Sequence, residues 1–298
     1  MDWDDLRIFL AVARSESLSG AGKRLGLDPA TVGRRIARLE EGAGTVLFTK
    51  SPQGYALTEE GARLHPFAEA AEAAAAGASE ALQRSEGAGG LTGQIRLGAP
   101  DGCANYLLPP VLAEIARANP GLEVQVVALP RVFNLSKREA DMAIGVSRPQ
   151  AGRLTVQKLT DYHLSLAAHP DYLAGAPPLR DLADLGAHRM VGYIADMIFD
   201  KELDYLGELG VAVVPLASNS VPVQLQLLRA GAGVGVVHDF ALAAAPELVR
   251  VLPGAFRLTR AFWLIRHEGD ARSARLTRFA DALAMGIRRE VQRLEAFS

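Results

Sequence analysis

The sequence predicts a multidomain α and α/β protein, with an N-terminal winged helix-turn-helix, a long linker helix and a C-terminal α/β domain. Three observations predict it. Residues 1–58 are charge-rich and carry three short helical patterns followed by two short strand patterns. Residues 59–86 are dominated by alanine and run into the glycine-rich stretch 87–93, which reads as a hinge. From Gln94 onward, short apolar runs alternate with helical patterns, as in a parallel α/β sheet. The 298 residues suit about two domains, and 49% hydrophobic with 22% charged residues is a globular composition. No apolar run approaches the ~20 residues of a membrane span. The start, Met1-Asp2-Trp3-Asp4-Asp5, is acidic, unlike a signal peptide. Cys103 is the single cysteine, which excludes an intramolecular disulfide. A cytoplasmic chain with no membrane partner is expected.

Leu6, Phe9, Leu10 and Ala13 recur at helical spacing and form one apolar stripe. Ser19 is placed to cap a short second helix carrying Ala21 and Leu25, which stops at Gly26. Asp28 caps a third helix, with Pro29 at the first position, where a missing N–H costs nothing. Three short helices with a tight turn are what a helix-turn-helix requires. On the third helix Val32, Ile36 and Leu39 share the inward side. Ala30, Thr31, Arg34 and Arg38 face outward, flanked by Gly33 and Arg35. Small residues at the outer N-terminal end let a helix enter a major groove closely, and arginine pairs bidentately with guanine or holds a phosphate. From Lys23 to Glu40 there are five basic and two acidic residues, whereas residues 1–66 hold nine of each. The positive field is therefore concentrated on one element; a solvated basic face is the alternative reading. Residues 46–49 and 55–57 read as strands joined by a turn containing Pro52 and Gly54. Lys50 at its tip either reaches a phosphate or only solubilises the hairpin.

This segment resembles the LysR-type transcriptional regulators. The matching residues are Leu6-Arg7-Ile8-Phe9-Leu10-Ala11-Val12-Ala13, Ser17-Leu18-Ser19, Ala21, Leu25, and Thr31-Val32. They continue from Arg34-Arg35-Ile36-Ala37-Arg38-Leu39-Glu40-Glu41 through Gly44, Leu47-Phe48 and Gly54 to Leu57-Thr58-Glu59-Glu60-Gly61. The resemblance implies double-stranded DNA as a partner. Ser19, Lys23, Pro29, Ala30, Thr31, Gly33, Arg34, Arg35, Arg38 and Lys50 are the contact candidates. Two departures fall on the reading helix: Pro29 stands where members often carry glutamine, and Gly33 where they carry serine. Base reading then falls to Thr31, Arg34 and Arg38, and to Arg34 first.

Thr58 is placed to cap a helix over residues 59–86, about 42 Å long at 1.5 Å per residue. Glu59 and Glu60 suit its N-terminal dipole, and Pro66 falls in its second turn. Leu64, Ala68, Ala71, Ala75, Ala78 and Leu82 alternate at spacings of four and three, a coiled-coil seam. The alternative is a helix lying on its own domain. The resemblance implies a linker helix that pairs two protomers into a homodimer, with a homotetramer above it. Both reading helices would then face successive major grooves, about 34 Å apart.

In the remainder, strands are expected at 94–99, 122–129, 141–146, 190–194, 211–218, 234–237 and 262–265, with apolar runs at 155–159 and 164–168. Helices are expected at 104–119, 135–139, 222–229 and 273–297. The resemblance implies a two-lobed periplasmic-binding-protein-like α/β domain with a small-molecule effector between the lobes. The domains are then 1–58, 59–91 and 92–298, with lobe I at about 92–161 and 266–298 and lobe II at about 162–265. Ligands in open α/β sheets bind beyond the carboxyl ends of strands. That rule selects Asp101, Cys103, Asn134, Ser147 and Arg148 from the first lobe, and Tyr193, Asn219, Ser220, His238 and Asp239 from the second. Free N–H groups near Cys103 and the cation of Arg148 point to an anionic effector. Loop capping and solvation are the alternative for each. His238 stands where the family pattern Gly-x-Gly-x-x-x-x-Pro, begun here at Gly231, has proline. Effector contact, pH sensing and a structural loop histidine are its readings. Cys103 is either a reactive thiol at a helix start or inert packing.

Gly231-Ala232-Gly233-Val234-Gly235 precedes a strand, the reverse of a dinucleotide loop. Gly20-Ala21-Gly22-Lys23 lacks the remaining P-loop residues, and Gly145-Val146-Ser147-Arg148-Pro149 lacks the last glycine of a nucleophile elbow. The six histidines show no metal-ligand spacing. No catalytic residue, cofactor or metal is expected, and an enzyme reading has no motif behind it. The rival to a regulator is a small-molecule-binding protein whose N-terminal helices only oligomerise it.

Overall fold

The computed structural model describes residues 1–51, 54–83, 90–128, 140–150, 152–211 and 213–296. They form two compact units, the first within 1–83 and 267–277 and the second within 90–128, 140–266 and 278–296.

The first unit opens with α1 (Trp3–Ser15), started by a capping box in which the Asp5 N–H donates to Asp2 Oδ1 at 2.9 Å. In α2 (Leu18–Leu25) the cap is Ser17, not Ser19. Ser17 has extended backbone (φ −157°), and its hydroxyl accepts the Gly20 N–H, whereas Ser19 already lies within the helix. The turn to the next helix is tight: a Cβ on Gly22 would sit 2.5 Å from the Leu27 carbonyl oxygen. In α3 (Pro29–Ala43) Asp28 accepts the Ala30 N–H at 3.0 Å and Pro29 occupies the first turn, as the sequence predicts. A hairpin of β1 (Phe48–Ser51) and β2 (Gly54–Leu57) follows, pairing Phe48 with Leu57. The first strand starts two residues later than expected. Glu40 Oε1 accepts the N–H groups of Leu47 and Phe48 (2.7 and 3.1 Å), which ties this stretch back to α3. Thr58 then caps α4 (Glu59–Gln83) through the Gly61 N–H at 3.0 Å, and the helix continues through Pro66.

Phe9, Leu10, Val12, Val32, Ile36, Leu39, Leu47 and Phe48 are buried together, with the Phe9 and Phe48 rings 5.2 Å apart. At roughly 1.5–3 kcal/mol per buried side chain, this small nucleus is the main support of the three helices. Leu64 and Ala68 pack into it from α4.

The second unit comprises β3 (Gly93–Ala99), α5 (Asp101–Tyr106), α6 (Leu108–Ala118), β4 (Leu122–Ala128), β5 (Met142–Gly145), β6 (Leu154–Ala168), α7 (Pro170–Ala174) and β7 (Met190–Gly192). It continues with β8 (Leu216–Ala217), α8 (Val221–Arg229), β9 (Val234–His238), α9 (Asp239–Leu242), β10 (Val249–Arg250), β11 (Leu258–His267) and most of α10 (Ala274–Glu295). Among the described residues one sheet runs β4-β3-β5-β11-β6-β9-β7-β8, with β10 beside β6. β3 is parallel to β4 and β5, and β7 is parallel to β8 and β9. The long strands β6 and β11 lie between these halves, so they are the two crossings that join the lobes. Gly286 of α10 packs so closely on α6 that a Cβ there would lie 2.4 Å from Val111.

Three expectations change. The helix at 104–119 is two helices, broken at Leu107; Pro109 and Pro110 lack the N–H groups that would bond back across the junction. The runs at 155–159 and 164–168 are one fifteen-residue strand, β6. The strand at 211–218 contracts to Leu216–Ala217, where it pairs with β7. Leu129, Asn134, the helix at 135–139, the turn residues Pro52 and Gln53, and residues 84–89 lie outside the described residues.

Candidate functional site

The third helix has two chemically different sides. Val32, Ile36 and Leu39 are 0%, 4% and 2% exposed, while Pro29, Ala30, Arg34, Ala37 and Arg38 are exposed on the other side. The Arg34 guanidinium donates to Thr31 Oγ1 at 3.1 Å, so the two candidates for base reading lie together on the outer face. Gly33 serves a different purpose: a Cβ there would lie 3.3 Å from Leu18 Cδ1, so its small size admits α2. Arg35 and Arg38 are engaged within the protein. Arg35 meets Asp4 at 2.7 Å and Asp5 at 3.1 Å, and Arg38 meets Asp5 at 2.9 Å. The acidic start of α1 therefore clamps α3, a role the charge count over residues 23–40 missed because the partners lie about thirty residues away. Lys23, Ser19 and Lys50 are exposed. The Gly54 turn is pinned on the α1–α2 junction by the Tyr55 N–H donating to the Glu16 carbonyl at 2.8 Å, which holds the hairpin beside the helices.

In the second unit, Asp101, Cys103, Tyr193, Asn219 and His238 line one cavity, together with Phe199 and Phe262 among others. Its free space is about 20 Å3, room for one water-sized group. The Val221 N–H, at the start of α8, donates to Asp101 Oδ2 at 2.9 Å. Burial raises the Asp101 carboxyl above the usual range, against hydrogen bonds from Ser220 and Val221 that favour the carboxylate. The His238 ring lies beside Tyr162 (5.5 Å) and Phe240 (5.0 Å), and its Nε2 is 3.5 Å from the Tyr205 hydroxyl. Burial pushes its pKa down to about 3, so it is neutral at physiological pH. Burial also pushes the Cys103 thiol up, and the residue is 1% exposed.

Other candidates lie elsewhere. The Ser147 hydroxyl donates to Asp200. Arg148 is exposed and does not line the cavity. Asp239 is buried against Arg250 at 3.1 Å, an internal ion pair. Phe199, Leu203, Phe262 and Tyr205 were not selected from sequence. The first three line the cavity and Tyr205 lies against His238, and no local motif carries that placement.

Two family descriptions match the chain: residues 3–62 match the bacterial regulatory helix-turn-helix protein, lysR family, and residues 88–287 match the LysR substrate binding domain. The chain is similar to the HTH-type transcriptional regulator PtxR of Pseudomonas aeruginosa, 28% identical over 267 residues, covering 85% of this chain and 83% of that protein. It is similar to the HTH-type transcriptional activator TtdR of Escherichia coli, 28% identical over 298 residues, 94% of this chain and 92% of that protein. Its fold is similar to a full-length OxyR variant from Pseudomonas aeruginosa, with a TM-score of 0.71 and 20% identity over 97% of this chain and 95% of that one.

Proposed function

Because the chain belongs to the LysR family of DNA-binding transcriptional regulators, we propose that α3 reads an operator through Arg34 and Thr31 while a small molecule in the Asp101–His238 cavity sets the regulatory state. The observation that carries the reading is the two-sidedness of α3: an apolar side sealed in the nucleus and an outer side of Ala30, Thr31 and Arg34 open to a groove. Lys23 and Lys50 supply phosphate contacts. Arg35 and Arg38 position the helix through Asp4 and Asp5, and a phosphate draws on them only in competition with those carboxylates.

Pairing of two protomers through α4 uses a stripe that shares only Ala78 with the expected seam. Leu64 and Ala68 are occupied by the chain's own nucleus. Phe67 is 73% exposed, and Ala70, Ala74 and Ala78 are exposed at matching helical spacing. These four present the face for a second α4.

The test is a competition gel shift at fixed salt, using an operator selected from a random duplex pool. Arg34→Ala is expected to lose about 1–3 kcal/mol of discrimination for one base position. Undiminished preference for the operator refutes the role of Arg34. Operator affinity in the wild type falls steeply with added salt as counterions are released.

A further inference from the structure

We propose that the ligand of the Asp101–His238 cavity is an organic cation, such as a primary ammonium, that pairs with Asp101, and not the carboxylate-bearing molecule that strand-end geometry suggests. The inference rests on the reading of this cavity as the effector site. The α8 N-terminus presents donors suited to an anion, but the protein's own Asp101 already takes the Val221 N–H at 2.9 Å. Among the described residues lining the cavity, Asp101 is the only carboxyl group: His238 is neutral, Cys103 is a buried thiol, and no lysine or arginine is present. Arg148 does not reach it, and Arg260 is held by Glu202 at 3.0 Å.

A ligand carboxylate would therefore face a like charge in a partly desolvated site with no compensating cation, which is unfavourable. An ammonium meets the opposite conditions. It is water-sized, as the cavity is. It pairs with the Asp101 carboxylate in a charge-assisted hydrogen bond. The aromatic walls of Tyr193, Phe199 and Phe262 add cation–π attraction. His238 supplies a second, independent sign of a ligand: it is 5% exposed, lines the cavity, and its Nδ1 has no hydrogen-bond partner. A buried polar atom without a partner is costly, and a ligand N–H relieves that cost when Nδ1 is the acceptor.

The experiment compares methylamine, methanol and formate, three probes small enough for the cavity, by calorimetry and thermal shift on the full chain. Methylamine is expected to bind at least about tenfold more tightly than the other two. Asp101→Asn, which keeps an oxygen to accept the Val221 N–H, is expected to erase that advantage. Should Asp101→Asn fold poorly, the ranking of the three probes on the wild type decides. Tightest binding by formate overturns the cation assignment while leaving the cavity as a ligand site. Methylamine binding that is indifferent to Asp101→Asn overturns it too, by placing the amine elsewhere. Binding of none of the three overturns both the assignment and the cavity as an effector site. The operator gel shift, run in parallel, reports on the DNA-binding reading independently.

Discussion

Arg14 and Glu72, 58 residues apart, form a bidentate pair: Nη1 donates to Oε1 at 2.9 Å and Nη2 to Oε2 at 2.7 Å. The pair fastens α1 to α4. The Arg14 side chain is only 4% exposed, and Glu69 Oε1 lies 3.9 Å from its Nη2. Glu69 in turn lies 3.6 Å from His65 and 3.7 Å from His267, and burial holds the His65 pKa below its ordinary value.

Truncating Glu72 leaves a buried charge with one distant partner. Glu72→Ala is expected to destabilise the chain by about 2–4 kcal/mol, read as a lowered urea midpoint. The loss should change little between low and moderate salt, since a buried pair is poorly screened. A change below about 0.5 kcal/mol would show that Glu69 alone satisfies Arg14.

Phe67 sits on the open face of α4. Burying two copies at a helix pair is worth roughly 1.5–3 kcal/mol each. Phe67→Asp is therefore expected to raise the dissociation constant of a dimer about 100-fold or more. Sedimentation velocity across a concentration series measures it. An unchanged association constant would move the interface off this stripe.

His238 gives a pH dependence with a definite sign. Its folded pKa, about 3, lies below the unfolded value of about 6.5, so the unfolded chain binds the proton more readily. The stability it contributes is complete above pH 6.5 and falls as pH drops from there toward 3. Between pH 7 and 5 this amounts to about 2 kcal/mol. His238→Phe, which keeps an aromatic ring beside Tyr162 and Phe240, should flatten the wild-type loss by that amount in urea melts. Equal slopes for variant and wild type would mean that the ring gains a proton without unfolding.

Much of the architecture was legible because it is written in local pattern. Asp28 followed by Pro29, the glycine stop at Gly26 and the Val32–Ile36–Leu39 stripe place α3 without reference to anything distant. The errors share a cause. Ser19 lost the cap to Ser17 because two hydroxyls two residues apart are both good caps, and backbone geometry chose between them. Leu64 and Ala68 fit a coiled-coil period equally well whether they face a partner helix or their own nucleus, since periodicity finds the apolar side and not what covers it.

Sequence by itself determined the helices of the first unit, the alternation of the second, and the family, because helical caps and periods act within a few residues. Tertiary structure alone decided which charges are open and which are engaged: Arg35 clamped by Asp4, Arg34 left outward, Asp101 set on the first N–H of α8 from 120 residues away. Charge pairing depends on through-space distance, and a linear chain does not record that distance until it has folded.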